Sequence, residues 1–407
     1  MGAALGIDLG TSGLRVAVLD AAGTVVAQAG VPLPPGRATE PAAWLEALET
    51  ALARVPLGEV RRIAVDGTSG TLLAVDAAGA PVGPAAMYDA PAQAGAVAAI
   101  ARLAPAGSPA RGAASPLAKA LGMQARPGVA RLLHQADWIA GTLLGRFRHS
   151  DENNALKTGY DPVARRWPGW LAATGLDMAL LPEVAVPGTP LGEVAATRFG
   201  LPRGAVVCAG TTDGCASFLA AGAHEAGEGV TVLGSTLTLK LACDRPVAAP
   251  EYGVYSHRLG GLWLAGGSSN SGGRALARHF DPAALARLSA GIDPSRPSGL
   301  DYYPLPGPGE RFPFADPGLL PSETPRPADD AAFLHGLLEG IARIEALGYR
   351  RLAALGAPPL RSVRSLGSGA GNAAWTAIRA RHLGVPMLPA LSAEAAVGAA
   401  LLALRGV

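Results

Sequence analysis

The chain is poor in several residue types, and each shortage excludes a class of protein. Only three cysteines occur among 407 residues. This odd number without paired metal spacings excludes a disulfide framework and predicts a reducing compartment, the cytoplasm. Charged residues make up 16%, and 34 basic against 32 acidic residues leave a net charge of +2. That balance gives no electrostatic footprint for nucleic acid or an acidic membrane surface.

Long apolar runs are missing as well. The sequence has no stretch of about 18 uncharged apolar residues, so it predicts no membrane-spanning segment. Asp8 interrupts the segment in which a signal peptide needs an unbroken apolar core. Apolar residues nevertheless make up 49%, which is typical of a globular protein, and the length suffices for two domains with separate cores. We expect a soluble protein of the cytoplasm.

What the chain does contain is a repeated turn between strand-like apolar segments. The run Leu-Gly-Thr-Ser that ends at Ser12 lines up with the run Leu-Gly-Ser-Thr that ends at Thr236. Backbone N–H groups and hydroxyls in such turns suit an anion, so the candidates are Thr11, Ser12, Gly234 and Ser235. The repeat predicts two domains of like design that face each other and hold a nucleotide's phosphates from both sides.

Strand and helix patterns alternate along the chain, which favours an α/β architecture. The patterns predict strands at Leu5–Leu9, Leu14–Leu19, Thr24–Ala29, Arg62–Val65, Thr71–Val75 and Ser362–Leu366, and helices at Pro41–Arg54, Cys215–Ala221, Ala331–Leu355 and Ala393–Leu404. Residues 92–148 are predicted to be mostly helical. The last helix is apolar on most sides and is predicted to be buried.

Two aspartates follow predicted strands. Asp8 directs a carboxylate at whatever the first turn binds, and would organise the water ligands of Mg²⁺ or hydrogen-bond a polar substrate. The alternative for Asp8 is a residue that only stabilises the turn. Asp213 stands between a strand and a helix of small residues, where it would accept the hydroxyl proton in a phosphoryl transfer. The alternative for Asp213 is an ordinary helix N-cap.

Two further turns carry candidate binding groups. The Gly-rich run Gly367–Asn372 joins a strand to a helix and lets a flat adenine or a phosphate approach the backbone. It has neither the P-loop nor the Rossmann pattern, so a plain turn is an equal alternative. Trp375 would flank a nucleotide or belong to the core. In the polar turn Asp66–Gly70, the hydroxyls of Ser69 and Thr68 would donate to a small polyol, or the turn binds nothing.

Taken in order, these motifs resemble the FGGY family of carbohydrate kinases over almost the whole length. The matching segments are Gly6–Ser12, Asp66–Gly70, Ala136–Trp138, Ser150–Ala155, Gly159–Asp161, Gly210–Asp213, Leu233–Thr236, Gly309–Arg311 and Gly367–Asn372 with Trp375. Within the family, the runs Asp66–Thr71 and Gly299–Pro306 are most similar to the short, xylulokinase-like D-ribulose kinase branch.

The resemblance implies an α/β fold of two actin-like (ribonuclease H-like) ATPase domains around a central cleft. Residues 1–220 with 394–407 would form the sugar-binding domain, and residues 221–393 the nucleotide-binding domain. It also implies roles for single residues. Asp213 would be the base, with Asp8 and Ser69 holding the sugar, Thr11, Ser12, Gly234 and Ser235 at the ATP phosphates, and Gly369, Asn372 and Trp375 at the adenosine. Mg²⁺ would keep mostly water ligands, with Asp8 reaching it through water.

The expected reaction transfers the γ-phosphoryl group of ATP to a ketopentose, first D-ribulose and second D-xylulose or another polyol, by a monomer or dimer. An alternative of another class is an ATP-driven binding protein on the actin fold. The chain departs from the family at two places. The run Met87–Ala92 keeps Tyr and Asp but lacks an Arg that contacts sugar in many relatives. Ser368 and Gly371 stand where Gly and Lys are usual.

Overall fold

The computed structural model describes residues 2–195 and 198–406, and their contacts divide the chain into two compact units. The first unit comprises the chain up to Ala220, the short segment His257–Gly261 and the chain from Glu394 onward. The second comprises Ala221–Ser256 and Leu262–Ala393. Each unit has its own sheet, helices and hydrophobic core. The predicted α/β class is confirmed.

The first unit is built on a seven-stranded sheet. Its strands, with those of two small sheets, are β1 (Ala3–Leu9), β2 (Gly13–Leu19), β3 (Val25–Pro32), β4 (Val60–Gly67), β5 (Leu72–Val75), β6 (Arg131–His134), β7 (His149–Asp151), β8 (Glu183–Ala185), β9 (Pro190–Glu193), β10 (Val206–Cys208) and β11 (Thr211–Thr212). The helices are α1 (Pro41–Leu52), α2 (Ala94–Leu103), α3 (Pro116–Met123), α4 (Gln135–Leu144), α5 (Glu152–Ala155), α6 (Trp170–Ala173) and α7 (Asp213–Ala221). The main order is β3-β2-β1-β4-β10-β9, with β11 also paired to β4.

The register of this sheet determines which side chains meet at its edge. Strand β1 runs parallel to β4 and pairs Asp8 with Asp66. Strand β11 also runs parallel to β4 and pairs Thr211 with Asp66. Helix α7 begins directly after β11, at Asp213. Because the carboxyl ends of parallel strands lie at one edge of a sheet, three aspartates collect there.

The sheet of the second unit repeats part of the strand order of the first. It contains β12 (Glu228–Leu233), β13 (Leu237–Cys243), β14 (Tyr255–Leu259, of which the residues from His257 belong to the first unit), β15 (Leu262–Ser269), β16 (Ser362–Leu366) and β17 (Met387–Leu388), with helices α8 (Gly273–Leu276), α9 (Pro282–Ser289), α10 (Asp330–Ala354) and α11 (Ala373–Leu383). The order is β14-β15-β13-β12-β16-β17. Strands β12 and β13 are antiparallel, as β1 and β2 are. Strand β12 is parallel to β16, as β1 is to β4.

A buried ion pair attaches two helices of the second unit to its sheet. Glu345 of α10 and Arg379 of α11 are both fully buried and joined by hydrogen bonds of 2.6 and 2.7 Å. The hydroxyl of Thr231 on β12 donates to Glu345 at 2.6 Å, and Arg379 donates to the Ser365 hydroxyl on β16 at 2.8 Å. With these partners the buried charges are compensated, and the middle of α11 is held against the sheet.

The last helix, α12 (Ala395–Arg405), packs on the sheet of the first unit through glycine contacts. A Cβ atom at Gly6 of β1 would lie 1.9 Å from the carbonyl oxygen of Ala396. A Cβ atom at Gly398 would lie 1.8 Å from the carbonyl oxygen of Ala216. Both positions therefore require glycine, and the prediction of a buried apolar helix here is confirmed.

Residues 92–148 are less helical than predicted. Three helices lie there, but β6 forms between α3 and α4 and pairs with β5. The apolar run of β6, Leu132 and Leu133, is too short for its periodicity to distinguish a strand from a helix. The pairing with β5 is what makes it a strand. Among the described helices, none is both long enough and apolar enough to cross a membrane.

Candidate functional site

The carboxylates at the edge of the first unit's sheet form a compact acidic group. Asp66 is fully buried, Asp8 is 6% exposed, and Asp213 at the start of α7 is partly exposed. One oxygen of Asp213 accepts a hydrogen bond from the Gly214 N–H at 2.7 Å. Arg15 on β2 lies 3.7 Å from the Asp8 carboxylate. The structure thus brings the predicted Asp8 and Asp213 together and adds Asp66.

The pKa values of Asp8 and Asp66 rise mainly because the two carboxyl groups are buried, and also because neighbouring negative charges repel. Burial raises the pKa of Asp8 to about 6, and the charge of Asp213 adds to this, while Asp66 and Arg15 oppose it. Burial raises the pKa of Asp66 well above its ordinary value, and the charges of Asp8 and Asp213 raise it further. Neither Asp66 oxygen accepts a hydrogen bond from the described residues. A protonated Asp66 that donates to Asp8 accounts for both observations.

The turn after β4 presents an unsatisfied hydroxyl. The Oγ of Ser69 is buried and has no hydrogen-bond partner in the described part of the chain. The neighbouring Thr68 is tied down, since its hydroxyl donates to the Gln135 side chain at 2.7 Å. The ammonium group of Lys157 donates to the Ser69 carbonyl at 3.3 Å. A buried donor without a partner is costly, so Ser69 is suited to bind a ligand hydroxyl.

The first repeated turn lies between β1 and β2. Thr11 and Ser12 are both exposed, and the N–H of Gly10 donates to the Gly13 carbonyl at 3.0 Å. The Ser12 carbonyl accepts from the Leu33 N–H at 2.9 Å, which fixes the turn against the end of β3. The hydroxyls of Thr11 and Ser12 therefore face solvent on a fixed backbone.

The second repeated turn lies between β12 and β13 and is fixed from α8. The N–H of Gly273 donates to the Gly234 carbonyl at 2.9 Å, and the N–H of Arg274 donates to the Ser235 carbonyl at 3.1 Å. Gly272 precedes them with φ +128°, and a Cβ there would lie 2.8 Å from the Thr236 backbone. This glycine permits the close approach of the two segments.

The same turn forms one end of a cavity of about 930 Å³ in the second unit. This volume lies in the range of small-molecule and cofactor sites. The walls come from the turn after β12, from α8 and α9, and from the run after β16. The cavity-lining members of the predicted nucleotide set are Gly234, Ser235, Gly369, Asn372 and Trp375. Thr11 and Ser12 do not line this cavity.

The predicted adenosine residues have distinct positions in the wall. The Asn372 side chain caps α11 by accepting from the Trp375 N–H at 2.9 Å and donates to the Ser289 hydroxyl at 2.8 Å. Its role is thus to connect α11 with α9. The Trp375 ring is 3% exposed and belongs to the core, yet its ring N–H has no partner among the described residues. A Cβ at Gly369 would lie 2.5 Å from that ring, so glycine lets the wall stay flat.

Sequence reasoning missed several residues of the site. Asp66 was recognised within a polar turn but was given no role, because its pairing with Asp8 depends on a parallel register. Lys119 on α3 is buried, and its ammonium group donates to the carbonyls of Met87 and Tyr88 at 2.6 and 3.2 Å. A lone lysine in an alanine-rich helix gives no signal in sequence. Arg274, in the cavity wall, was also missed.

The acidic group has donors of the kind that Mg²⁺ prefers, but few of them. Within the described residues, no set of three His, Cys, Asp or Glu side chains is arranged to hold a metal ion. Mg²⁺ in phosphoryl-transfer sites is bound by one or two carboxylates with substrate phosphates and water. The surplus negative charge around Asp8 fits that mode of binding and does not fit an all-protein cage.

Comparison with known proteins gives a family match for one part of the chain and a fold match for nearly all of it. Residues 226–407 match the model of the FGGY family of carbohydrate kinases, C-terminal domain. Among solved structures, a xyloylose kinase from Brucella ovis superposes with a TM-score of 0.85 at 24% identity, covering 100% of this chain and 91% of that chain. A xylulose kinase from Rhodospirillum rubrum gives 0.82 at 24% identity, with 99% and 90% covered.

A third similar structure is glycerol kinase from Plasmodium falciparum with ADP. It has a TM-score of 0.84 at 16% identity, covering 99% of this chain and 89% of that chain. At these identities the structures establish the fold, and the predicted pair of actin-like domains is confirmed. The family model matches residues 226–407, in agreement with the family expectation for that part of the chain.

Proposed function

We propose that this chain, whose residues 226–407 match the FGGY family of carbohydrate kinases, transfers the γ-phosphoryl group of ATP to a hydroxyl of a ketopentose, D-ribulose first. One observation carries the proposal: a partly exposed Asp213 stands beside Asp8 at the edge of the first unit's sheet. The xylulose kinases among the similar structures support a ketopentose. The choice of D-ribulose depends on the runs Asp66–Thr71 and Gly299–Pro306.

In this proposal the first unit binds the sugar. Asp213 accepts the proton of the attacking hydroxyl and orients its oxygen, while Asp8 and the unsatisfied hydroxyl of Ser69 hydrogen-bond other hydroxyls. In a loose phosphoryl-transfer transition state the proton leaves late, so positioning contributes most of the rate. The fixed backbone of the β4 and β11 ends supports such positioning.

The second unit supplies the nucleotide site in this proposal. Gly234 and Ser235 present backbone N–H groups and a hydroxyl to the phosphates. The flat wall at Gly369 and Trp375 accommodates the adenine, and Asn372 acts through its connection between α9 and α11. Thr11 and Ser12 of the first unit are proposed as further phosphate contacts. Mg²⁺, held by phosphates, water and Asp8 through water, supplies charge neutralisation.

Other outcomes are distinguishable from this proposal by the substrate. D-xylulose or another polyol would be phosphorylated with the same residues, since the described contacts do not select a stereocentre. An ATP-driven binding protein on the same fold would turn over ATP without regard to sugars. The proposal includes the cytoplasm as the compartment, supported by three buried cysteines that form no disulfide in the described part of the chain, and a monomer or dimer as the assembly.

The test is an ADP-release assay across ketopentoses, pentitols and glycerol. We expect release that depends on a ketopentose and falls about 10²–10⁴-fold in kcat for Asp213→Asn, because the general base is lost while size and fold are kept. Asp244→Asn, at an exposed position on the second unit, is the matched control and should keep wild-type kcat.

The results separate the possibilities cleanly. Wild-type turnover in Asp213→Asn, with a circular dichroism spectrum equal to wild type, would remove Asp213 from its role. ATP turnover indifferent to every polyol tested would favour the ATP-driven binding protein.

A further inference from the structure

The cavity of the second unit contains one charged side chain. Among the described residues that line it, Arg274 is the only one with a charge, and no carboxylate shares the lining. Most of the remaining wall is apolar or glycine, apart from a few hydroxyls and the Asn372 amide. A cation in such a wall, without a protein anion beside it, is suited to a ligand that brings its own negative charge.

The backbone places Arg274 at the phosphate turn. Its N–H donates to the Ser235 carbonyl at 3.1 Å, and the preceding Gly273 donates to the Gly234 carbonyl at 2.9 Å. Two adjacent hydrogen bonds hold the first residues of α8 against the turn that Gly234 and Ser235 form. The Cα of Arg274 is therefore fixed next to the proposed phosphate contacts.

The guanidinium of Arg274 differs from those of Arg278 and Arg364 in its partners. Arg278 donates to the Leu305 carbonyl and pairs with Glu323, and Arg364 pairs with Glu228. The guanidinium of Arg274 has no hydrogen bond or ion pair with any described residue, and the side chain is exposed. Its five N–H donors are available for a ligand.

We propose that Arg274 binds the phosphate chain of the nucleotide, which deepens the proposed function and rests on it. The guanidinium matches two phosphate oxygens at once and keeps its charge at every physiological pH. It complements the backbone donors of Gly234 and Ser235 with a full positive charge. Arg274 is thus a binding residue for phosphates and makes no contribution to adenosine recognition.

The test compares nucleosides with nucleotides by isothermal titration calorimetry of the full chain. For Arg274→Met, which keeps the length of the side chain, we expect the Kd of ADP to rise about tenfold or more, as for the loss of a charge-assisted hydrogen bond. The Kd of adenosine should stay within about twofold. Arg274→Lys should recover part of the ADP affinity, because the charge returns without the paired donors.

Arg287→Met is the matched control, since this exposed arginine of α9 does not line the cavity. It should leave both Kd values unchanged. An unchanged ADP Kd in Arg274→Met would overturn the inference and leave the kinase proposal intact. Equal losses for adenosine and ADP would also overturn it, because Arg274 would then shape the cavity. Absence of ADP binding to the wild-type chain would instead contradict the proposed function.

Discussion

At the scale of single residues, Lys119 is the clearest example of a cation placed by the fold. Its ammonium group is buried on α3 and donates to the Met87 and Tyr88 carbonyls. The Tyr88 N–H in turn donates to the Thr71 hydroxyl at 3.1 Å, close to the Ser69 turn. Burial lowers the pKa of Lys119 to about 8, and Lys157 lowers it further while Asp89 opposes this. Lys119 therefore holds the Met87–Asp89 loop against the proposed sugar site.

We expect Lys119→Met to weaken sugar binding selectively. Two hydrogen bonds from a charged donor are lost, and each is worth about 1.5–3 kcal/mol. The sugar KM should rise about tenfold or more, because the loop beside Ser69 is released, whereas the ATP KM should change less than about twofold. Steady-state kinetics with each substrate varied in turn measures both constants.

The control for this prediction is Lys240→Met, since Lys240 lies on β13 of the second unit. It should leave the sugar KM at the wild-type value. Equal rises in the two KM values for Lys119→Met would contradict a local role and indicate general destabilisation.

The residues of the site could be predicted from sequence only where a reactive or polar side chain lies next to a turn. Asp8, Ser69 and Asp213 each lie near the end of a strand and within two residues of a glycine, so their positions could be inferred, although their roles stay predictions. Asp66 and Lys119 could not be inferred, because their neighbours come from distant segments. The roles of such residues depend on register and on packing, which local patterns do not contain.

At the scale of elements, Glu339 connects α10 to the end of α11. It is 2% exposed and accepts from Arg381 at 2.6 Å, from His382 at 3.0 Å and from the Ser298 N–H at 2.7 Å. Burial acts to raise its pKa, but these hydrogen bonds prevail and lower the pKa from 4.5 to about 2. The ionised form of Glu339 therefore stabilises the second unit.

This lowered pKa predicts a pH-dependent loss of stability. Because the folded pKa lies below the unfolded one, the contribution is complete above about pH 4.5 and is lost as the pH falls towards 2. The difference corresponds to about 3 kcal/mol. Glu339→Gln should thus lower the free energy of unfolding at pH 7, and the gap to wild type should shrink below pH 4.5. Urea denaturation at pH 7, 5, 4 and 3 measures it.

Glu59→Gln is the control for that series, since Glu59 has a side chain that is 87% exposed. Its unfolding free energy should follow wild type at each pH. A Glu339→Gln deficit that stays constant from pH 7 to pH 3 would show that the charge of Glu339 has no part in the effect.

Helices and strands could be predicted where the periodic pattern of apolar residues extends over enough residues. The helix predicted at Ala331–Leu355 is α10, and the strand predicted at Ser362–Leu366 is β16 with the same bounds. The prediction for residues 92–148 was less accurate, because β6 has four residues and forms only by pairing with β5. Short apolar runs carry too few residues for a period to distinguish strand from helix.

At the scale of the whole molecule, the chain contains two sheets that share part of their strand order and carry different helices. The turns at Thr11 and at Ser235 occupy equivalent places. The first follows β1, which is antiparallel to β2 and parallel to β4, and the second follows β12, which is antiparallel to β13 and parallel to β16. The sequence repeat predicted this equivalence. It did not predict that the second turn lines a cavity of about 930 Å³, because α8 and α9, which contribute to its walls, lie outside the repeated run.

The duplication leads to a prediction about where each ligand acts. ADP makes most of its contacts with the folded second unit in the proposed arrangement, so at about 100 times its Kd it should stabilise that unit by about 2.7 kcal/mol. Hydrogen–deuterium exchange should slow most in peptides that contain Ser235, Arg274 or Trp375, while peptides of β4 keep their rates. D-ribulose alone should slow exchange around Ser69 and Tyr88 and leave the cavity peptides unchanged. The Asp213→Asn variant retains the cavity and is the control, so it should reproduce the wild-type exchange pattern with ADP. Protection by ADP that is confined to the first unit would contradict the assignment of the nucleotide to the second unit.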